Sequence, residues 1–139
     1  MNGEPRIEAT MLLCDSAQSI AGKLFILGGG WSVLKKTEQP MAMALAVKLA
    51  IPWSQANEKH VIAAELVTSD GETVVHEGND VRTSGEIEVG RPPGVKQGTP
   101  LDAAFVLTLQ GLSLEPGSYV WVLRAGETGL ARCPFQVVA

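Results

Sequence analysis

The sequence predicts an all-β fold, an immunoglobulin-like antiparallel β-sandwich of roughly seven to nine strands in a single domain over residues 1–139. Three observations carry this reading. Met41 to Ile51 alternates strictly, with Met41, Met43, Leu45, Val47, Leu49 and Ile51 on one face and Ala42, Ala44, Ala46, Lys48 and Ala50 on the other. Period two is the signature of a strand, and a helix would ring itself with the large residues. The last third, Leu101 to Val138, reads strand, turn, strand, turn, strand, with turns at Glu115-Pro116-Gly117 and Gly126. Ser69-Asp70-Gly71-Glu72 is a hairpin signal, because Asp-Gly supplies the positive φ angles of a tight turn.

Taken in order, residues 6–14 alternate weakly and read as a first strand, and Asp15 to Gly22 reads as a turn-rich connection. Lys23 to Leu27 is a second strand; Gly28-Gly29-Gly30 interrupts it and Trp31 to Leu34 resumes it. Glycines inside a strand mark a bulge or a close approach by another group. Lys35 to Gln39 is a polar, solvated loop, and Met41 to Ile51 is the cleanest strand. Pro52 to Glu58 is a connection holding one helical turn, and Lys59 to Thr68 is a strand to which Thr73 to His76 pairs back. Glu77 to Thr83 is a polar loop, and Gly85 to Gly90, with Glu86 and Glu88 alternating, is an edge strand. Arg91 to Pro100 is a stiff Pro- and Gly-rich crossover between sheets. In the closing strands Phe105, Leu107 and Leu109 share a face, as do Tyr119, Trp121 and Leu123, while Val120 and Val122 point the other way.

Composition bounds the function. The chain is 45% hydrophobic and 19% charged, which excludes a disordered chain, and its length suffices for a core without metals or disulfides. A net charge of −4 with scattered basic residues argues against nucleic acid, which needs a clustered basic face. No stretch approaches a membrane span, and the polar N-terminus lacks the pattern of a secretory signal, so the expected location is cytoplasmic. Cys14 and Cys133, in the first and last strand regions, are then expected as free, buried thiols rather than a disulfide, and the sequence leaves open whether they meet. With His60 and His76 they give no metal-ligand spacing, and no cofactor or metal is expected.

Four segments are specific enough to carry a resemblance: Met11 to Asp15 with Gly22 to Trp31; Ala44 to Lys48 with Ile51-Pro52-Trp53; Glu88 to Gly94 with Gly98 to Leu101; and Pro116 to Trp121. Together they resemble a family of small actinobacterial proteins classed only as a domain of unknown function. The Gly-Gly-Gly-Trp and Gly-Arg-Pro-Pro-Gly strings identify it best, and the similarity covers nearly the whole chain. It implies a β-sandwich and an intracellular actinobacterial origin, and carries over no catalytic or binding residue.

Each motif that suggests chemistry has a plainer reading that is preferred. Gly28-Gly29-Gly30-Trp31 lacks the Lys-Ser/Thr and the following helix of a phosphate loop and reads as a bulge. Cys14 beside Asp15, with His60 or His76, has the residue types of a thiol nucleophile, but Cys14 sits in an apolar run that disfavours a thiolate. Asp15, Glu65, Asp80, Glu86 and Glu88 form no calcium loop; a buried Glu65 would need a partner such as Lys48 or Arg124. Trp31, Trp53, Trp121 and Tyr119 have the residue types of a sugar-stacking platform, but Trp121 and Tyr119 share a face with Leu123 and are expected in the core; Trp53, after a proline, is the aromatic expected at the surface.

The expected function is therefore a non-enzymatic structural or protein-interaction domain, a homo-oligomer or the partner of another protein. Its surface is expected at the outward apolar positions Ala42, Ala44, Ala46, Val120 and Val122, although the small side chains of the alanine face equally suit close approach by another element of the fold or partial exposure. The alternative is a binding module for a small molecule, glycan or protein through Trp53 and the loop at Arg91, Pro92 and Pro93. An enzyme whose site is assembled only in three dimensions ranks third.

Overall fold

The computed structural model describes residues 5–139; residues 1–4, part of the polar N-terminal stretch, lie outside the described residues. Among those described run eleven strands: β1 (Glu8–Ile20), β2 (Lys23–Gly29), β3 (Val33–Lys35), β4 (Met41–Ile51), β5 (His60–Thr68), β6 (Val75–His76), β7 (Asn79–Asp80), β8 (Arg82–Ile87), β9 (Leu101–Leu112), β10 (Gly117–Ala125) and β11 (Thr128–Val138). A 3-10 turn spans Trp53–Gln55. One sheet has the order β2-β1-β4-β9, the other β3-β11-β10-β5-β8, and β6 and β7 form a separate ribbon. The pairings are antiparallel except β3 with β11. The architecture is the expected β-sandwich, with a few more strands than the sequence suggested because the ribbon and β3 are short.

The core lies between the sheets. From β4 it takes Met41, Met43, Leu45, Val47, Leu49 and Ile51, all buried as their alternation predicts. Facing them are Ile62, Ala64 and Leu66 of β5, Trp121 and Leu123 of β10, and Phe135 and Val137 of β11. Each large apolar side chain so enclosed contributes about 1.5–3 kcal/mol. The Trp121 indole N–H donates to Met43 Sδ at 3.4 Å, a bond that reaches across the sandwich. At the start of β10 the Tyr119 hydroxyl donates to the Glu115 carbonyl at 2.6 Å, and its ring stacks on Phe135 at 5.7 Å. This is the tyrosine corner of immunoglobulin-like sandwiches, which pins a strand to the turn before it.

The structure departs from the sequence reading in five places. Asp15 to Gly22 is not a loop: β1 continues to Ile20 and only Ala21-Gly22 turns, with φ of 52° and 75°. Its polar residues Asp15, Ser16 and Gln18 are exposed strand positions, which imitate a loop in composition. Trp31 to Leu34 does not resume β2; the chain crosses to the other sheet and β3 lies parallel to β11. Beyond the expected Asp-Gly turn, Thr73 bridges back to Val67 and the Val74 N–H donates to the Leu66 carbonyl at 3.0 Å, as expected, but Val75–His76 pairs instead with Asn79–Asp80 around its own Glu77-Gly78 turn. The edge strand predicted from Gly85 already begins at Arg82. Lys36, expected in a solvated loop, donates from Nζ to the Leu114 carbonyl at 3.1 Å and pairs with Glu115 at 3.1 Å.

Candidate functional site

The β1–β2 hairpin is built unlike the rest of the sandwich. Strand alternation slips at its base, since Cys14 and Ala17, three residues apart, pack into one cluster. Across from Asp15, Gly28 has φ +61°, and a Cβ there would run into the Asp15 carboxylate, so only glycine serves. The kink swings the hairpin tip over the outer face of its own sheet. Ala17 and Leu24 settle with Val106 on Cys14, Ala44 and Ala46. Ser19 Oγ donates to the Ala104 carbonyl of β9 at 2.8 Å and fastens the tip down.

This corrects the expectation for the alanine face. Ala44 and Ala46 do not face outward as open surface: they are buried, and their small side chains are what lets the hairpin approach. Ala42, one position before the enclosed layer, is exposed. Val120 and Val122 do point away from the core, on the opposite sheet, and form a cluster with Val67. They are only 7% and 6% exposed, because cross-strand neighbours Pro134, Arg132 and Glu65 stand beside them. The alanines and the valines thus lie on opposite outer faces of the sandwich and do not form one patch.

The hairpin itself carries an apolar surface that the sequence reading does not anticipate. Cross-strand pairs Ser16 with Leu27, Gln18 with Phe25 and Ile20 with Lys23 share its outward side. On that side Phe25 is 53% and Leu27 70% exposed, and Ile20 is exposed beside them. The signal is present in Leu24-Phe25-Ile26-Leu27, an apolar run with no polar alternation. One face of such a strand covers the alanines, and the other has no partner among the described residues.

At one end of the sandwich the structure does bring Trp53 and Arg91 together. The Arg91 guanidinium lies 4.8 Å from the centre of the Trp53 ring, and its Nη2 donates to the Trp53 carbonyl at 2.8 Å. Trp53 is half-buried against the core, while Pro92 and Pro93 are exposed in the turn beyond. A cleft of about 450 Å³ opens there, lined by Arg6, Pro52, Trp53, Gly98 and Pro100 among others.

The cysteines do not meet. Cys14 is fully enclosed (0% exposed) on the outer side of its sheet and donates to the Ala44 carbonyl at 3.4 Å. Cys133 packs with the inter-sheet core and donates to the Met11 carbonyl at 3.5 Å. Burial, then the nearby Asp15 carboxylate, pushes the Cys14 thiol up from its ordinary value; burial does the same to Cys133. Both effects oppose a reactive thiolate. Lys48 pairs with Asp102 at 3.3 Å rather than with Glu65, which lies opposite Arg82 in register. Among the described residues no group of three or more His, Cys, Asp or Glu is placed to hold a metal, and no helix is long and apolar enough to cross a membrane.

Two sheets packed over one core, β3 running parallel to the last strand and a tyrosine corner at β10 define an immunoglobulin-like β-sandwich domain. Within that class, the chain belongs to DUF6941, a family of unknown function whose profile matches residues 9–138. No curated protein matches it. Among solved structures it is similar to a β-glucosidase from Listeria innocua in complex with glucose, at 10% identity and a TM-score of 0.47. That match covers 96% of this chain and 16% of the β-glucosidase chain.

Proposed function

We propose that the protein is a non-enzymatic interaction domain that associates with a second copy of itself. The observation that carries this reading is the outward side of the β1–β2 hairpin, where Ile20, Phe25 and Leu27 are exposed together. Contiguous exposed apolar side chains mark association surfaces. The elevated thiol of buried Cys14 speaks against nucleophilic catalysis through that residue. Light scattering on the full chain over a concentration series tests the reading. It predicts a mass above that of one chain, and a strict monomer at every concentration would overturn it.

A second reading, a binding module at Trp53 and the 91–100 loop, draws on the Arg91–Trp53 stack and on the cleft that Trp53, Gly98 and Pro100 line beside it. If an Arg91→Ala variant retained every partner captured by the native protein, that reading would be lost.

A further inference from the structure

We propose that β2 pairs antiparallel with β2 of a second copy, about a twofold axis at Ile26, fusing two four-stranded sheets into one. The inference rests on the self-association reading above and specifies its geometry.

The backbone supplies the first argument. Among the described residues β2 ends its sheet, with no neighbouring strand on its far side. The hairpin closes through a two-residue turn, so the closing pair Ile20 and Lys23 exchange hydrogen bonds, and alternate pairs after them do the same. Phe25 and Leu27 therefore turn their peptide groups toward β1. Leu24 and Ile26 turn theirs away, a row of donors and acceptors open to another strand.

β2 also lacks the protection that the other edges carry. Sheets guard their edges with charges, short strands or covering groups. β8 carries Arg82 and Glu86, β3 is three residues long and ends on Lys35, and Ser19 occupies the Ala104 carbonyl of β9. β2 has Phe25, Ile26 and Leu27 in succession, and its one charge, Lys23, stands at its end.

Complementarity of the strand with itself selects a second copy and this register. With the axis at Ile26, Phe25 falls opposite the other copy's Leu27, and Leu27 opposite its Phe25. The two most exposed large apolar side chains of the strand then cover one another twice, as an aromatic–aliphatic cross-strand pair. Lys23 falls beside Gly29 of the second copy, next to the Gly28 that faces Asp15. Neither glycine has a side chain to separate the Lys23 cation from that carboxylate. Among the described residues neither Lys23 nor Asp15 has a salt-bridge partner within the chain. A parallel arrangement would set Lys23 against Lys23, so the charges favour the antiparallel one. The contact is isologous and closes at two copies.

Sedimentation equilibrium on the full chain, its Leu27→Lys variant and its Ile26→Pro variant tests this, with circular dichroism on each and hydrogen exchange read at the Leu24 and Ile26 amides. Leu27→Lys adds a charge at an exposed position, and Ile26→Pro removes an N–H that the chain's own ladder does not use. The expected result is a dimer whose dissociation constant rises about thirtyfold or more in each folded variant, with Leu24 and Ile26 amides that exchange more slowly as concentration rises. Should Ile26→Pro fail to fold, Leu27→Lys and the exchange rates decide. A dimer that keeps its affinity in Leu27→Lys and leaves those amides fast overturns the edge pairing while self-association stands. A monomeric native protein overturns both.

Discussion

Ser19 and Ala104 are joined by a hydrogen bond of 2.8 Å from the serine hydroxyl to the alanine carbonyl, and this contact holds the β1–β2 hairpin over the outer face of its own sheet. Beneath it, Ala44, Ala46 and Cys14 form a thin second layer of core. The hairpin is thus both a lid on that layer and the bearer of the exposed Phe25 and Leu27.

If the alanines are spaced for the hairpin, enlarging them must lift it. Ala46→Leu is expected to destabilise the fold by about 1–3 kcal/mol through overpacking, read by thermal or urea unfolding. A neutral effect would mean that the face is open.

Gly28 tests the kink. Gly28→Ala is expected to cost about 1–3 kcal/mol, since it combines a strained φ with a collision against the Asp15 carboxylate. Gly85, with ordinary φ and open space within 4 Å of where a Cβ would stand, is the control: Gly85→Ala is expected to leave denaturant midpoints nearly unchanged. Equal losses at the two sites would remove the special role of Gly28.

Much of the fold is legible in the sequence. The period of Met41 to Ile51 yields the central strand and its buried face, and the Pro-Gly and Asp-Gly turns occur where their residues predict them. The inward Tyr119, Trp121 and Leu123 follow from alternation. What is not legible depends on long-range geometry. Asp15, Ser16 and Gln18 have loop composition but occupy the outward side of a strand, so the long hairpin is hidden. The small side chains of Ala44 and Ala46 suggest a close approach, but without the hairpin nothing in the sequence says what approaches them. Arg91 and Trp53 stand out together in the sequence, but their stack depends on a crossover that local sequence does not specify.

The tyrosine corner is testable alone. Tyr119→Phe keeps the stack on Phe135 and removes the bond to the Glu115 carbonyl. The expected loss is about 0.5–1.5 kcal/mol, measured from the shift in denaturant midpoint; no shift would show that the corner adds nothing.

The thiols set an alkaline limit. Folded-state pKa values of Cys14 and Cys133 are raised, so the folded protein holds these protons more tightly than the unfolded chain. Their effect on stability is level below the ordinary thiol pKa. It declines as pH rises through the interval between that value and the raised one, because the unfolded chain ionises first. Unfolding midpoints measured across this alkaline range should fall more steeply for the native protein than for a Cys14→Ala variant. Parallel profiles would contradict the assignment. In the native state Cys14 should also resist alkylation that proceeds readily in denaturant.

The measurement that bears most directly on the central claim is the mass in solution of the native chain and of Leu27→Lys, side by side across one concentration series. The account predicts twice the mass of one chain for the native protein and a shift to the single-chain mass for the variant. A native protein that keeps the single-chain mass at every concentration would contradict it.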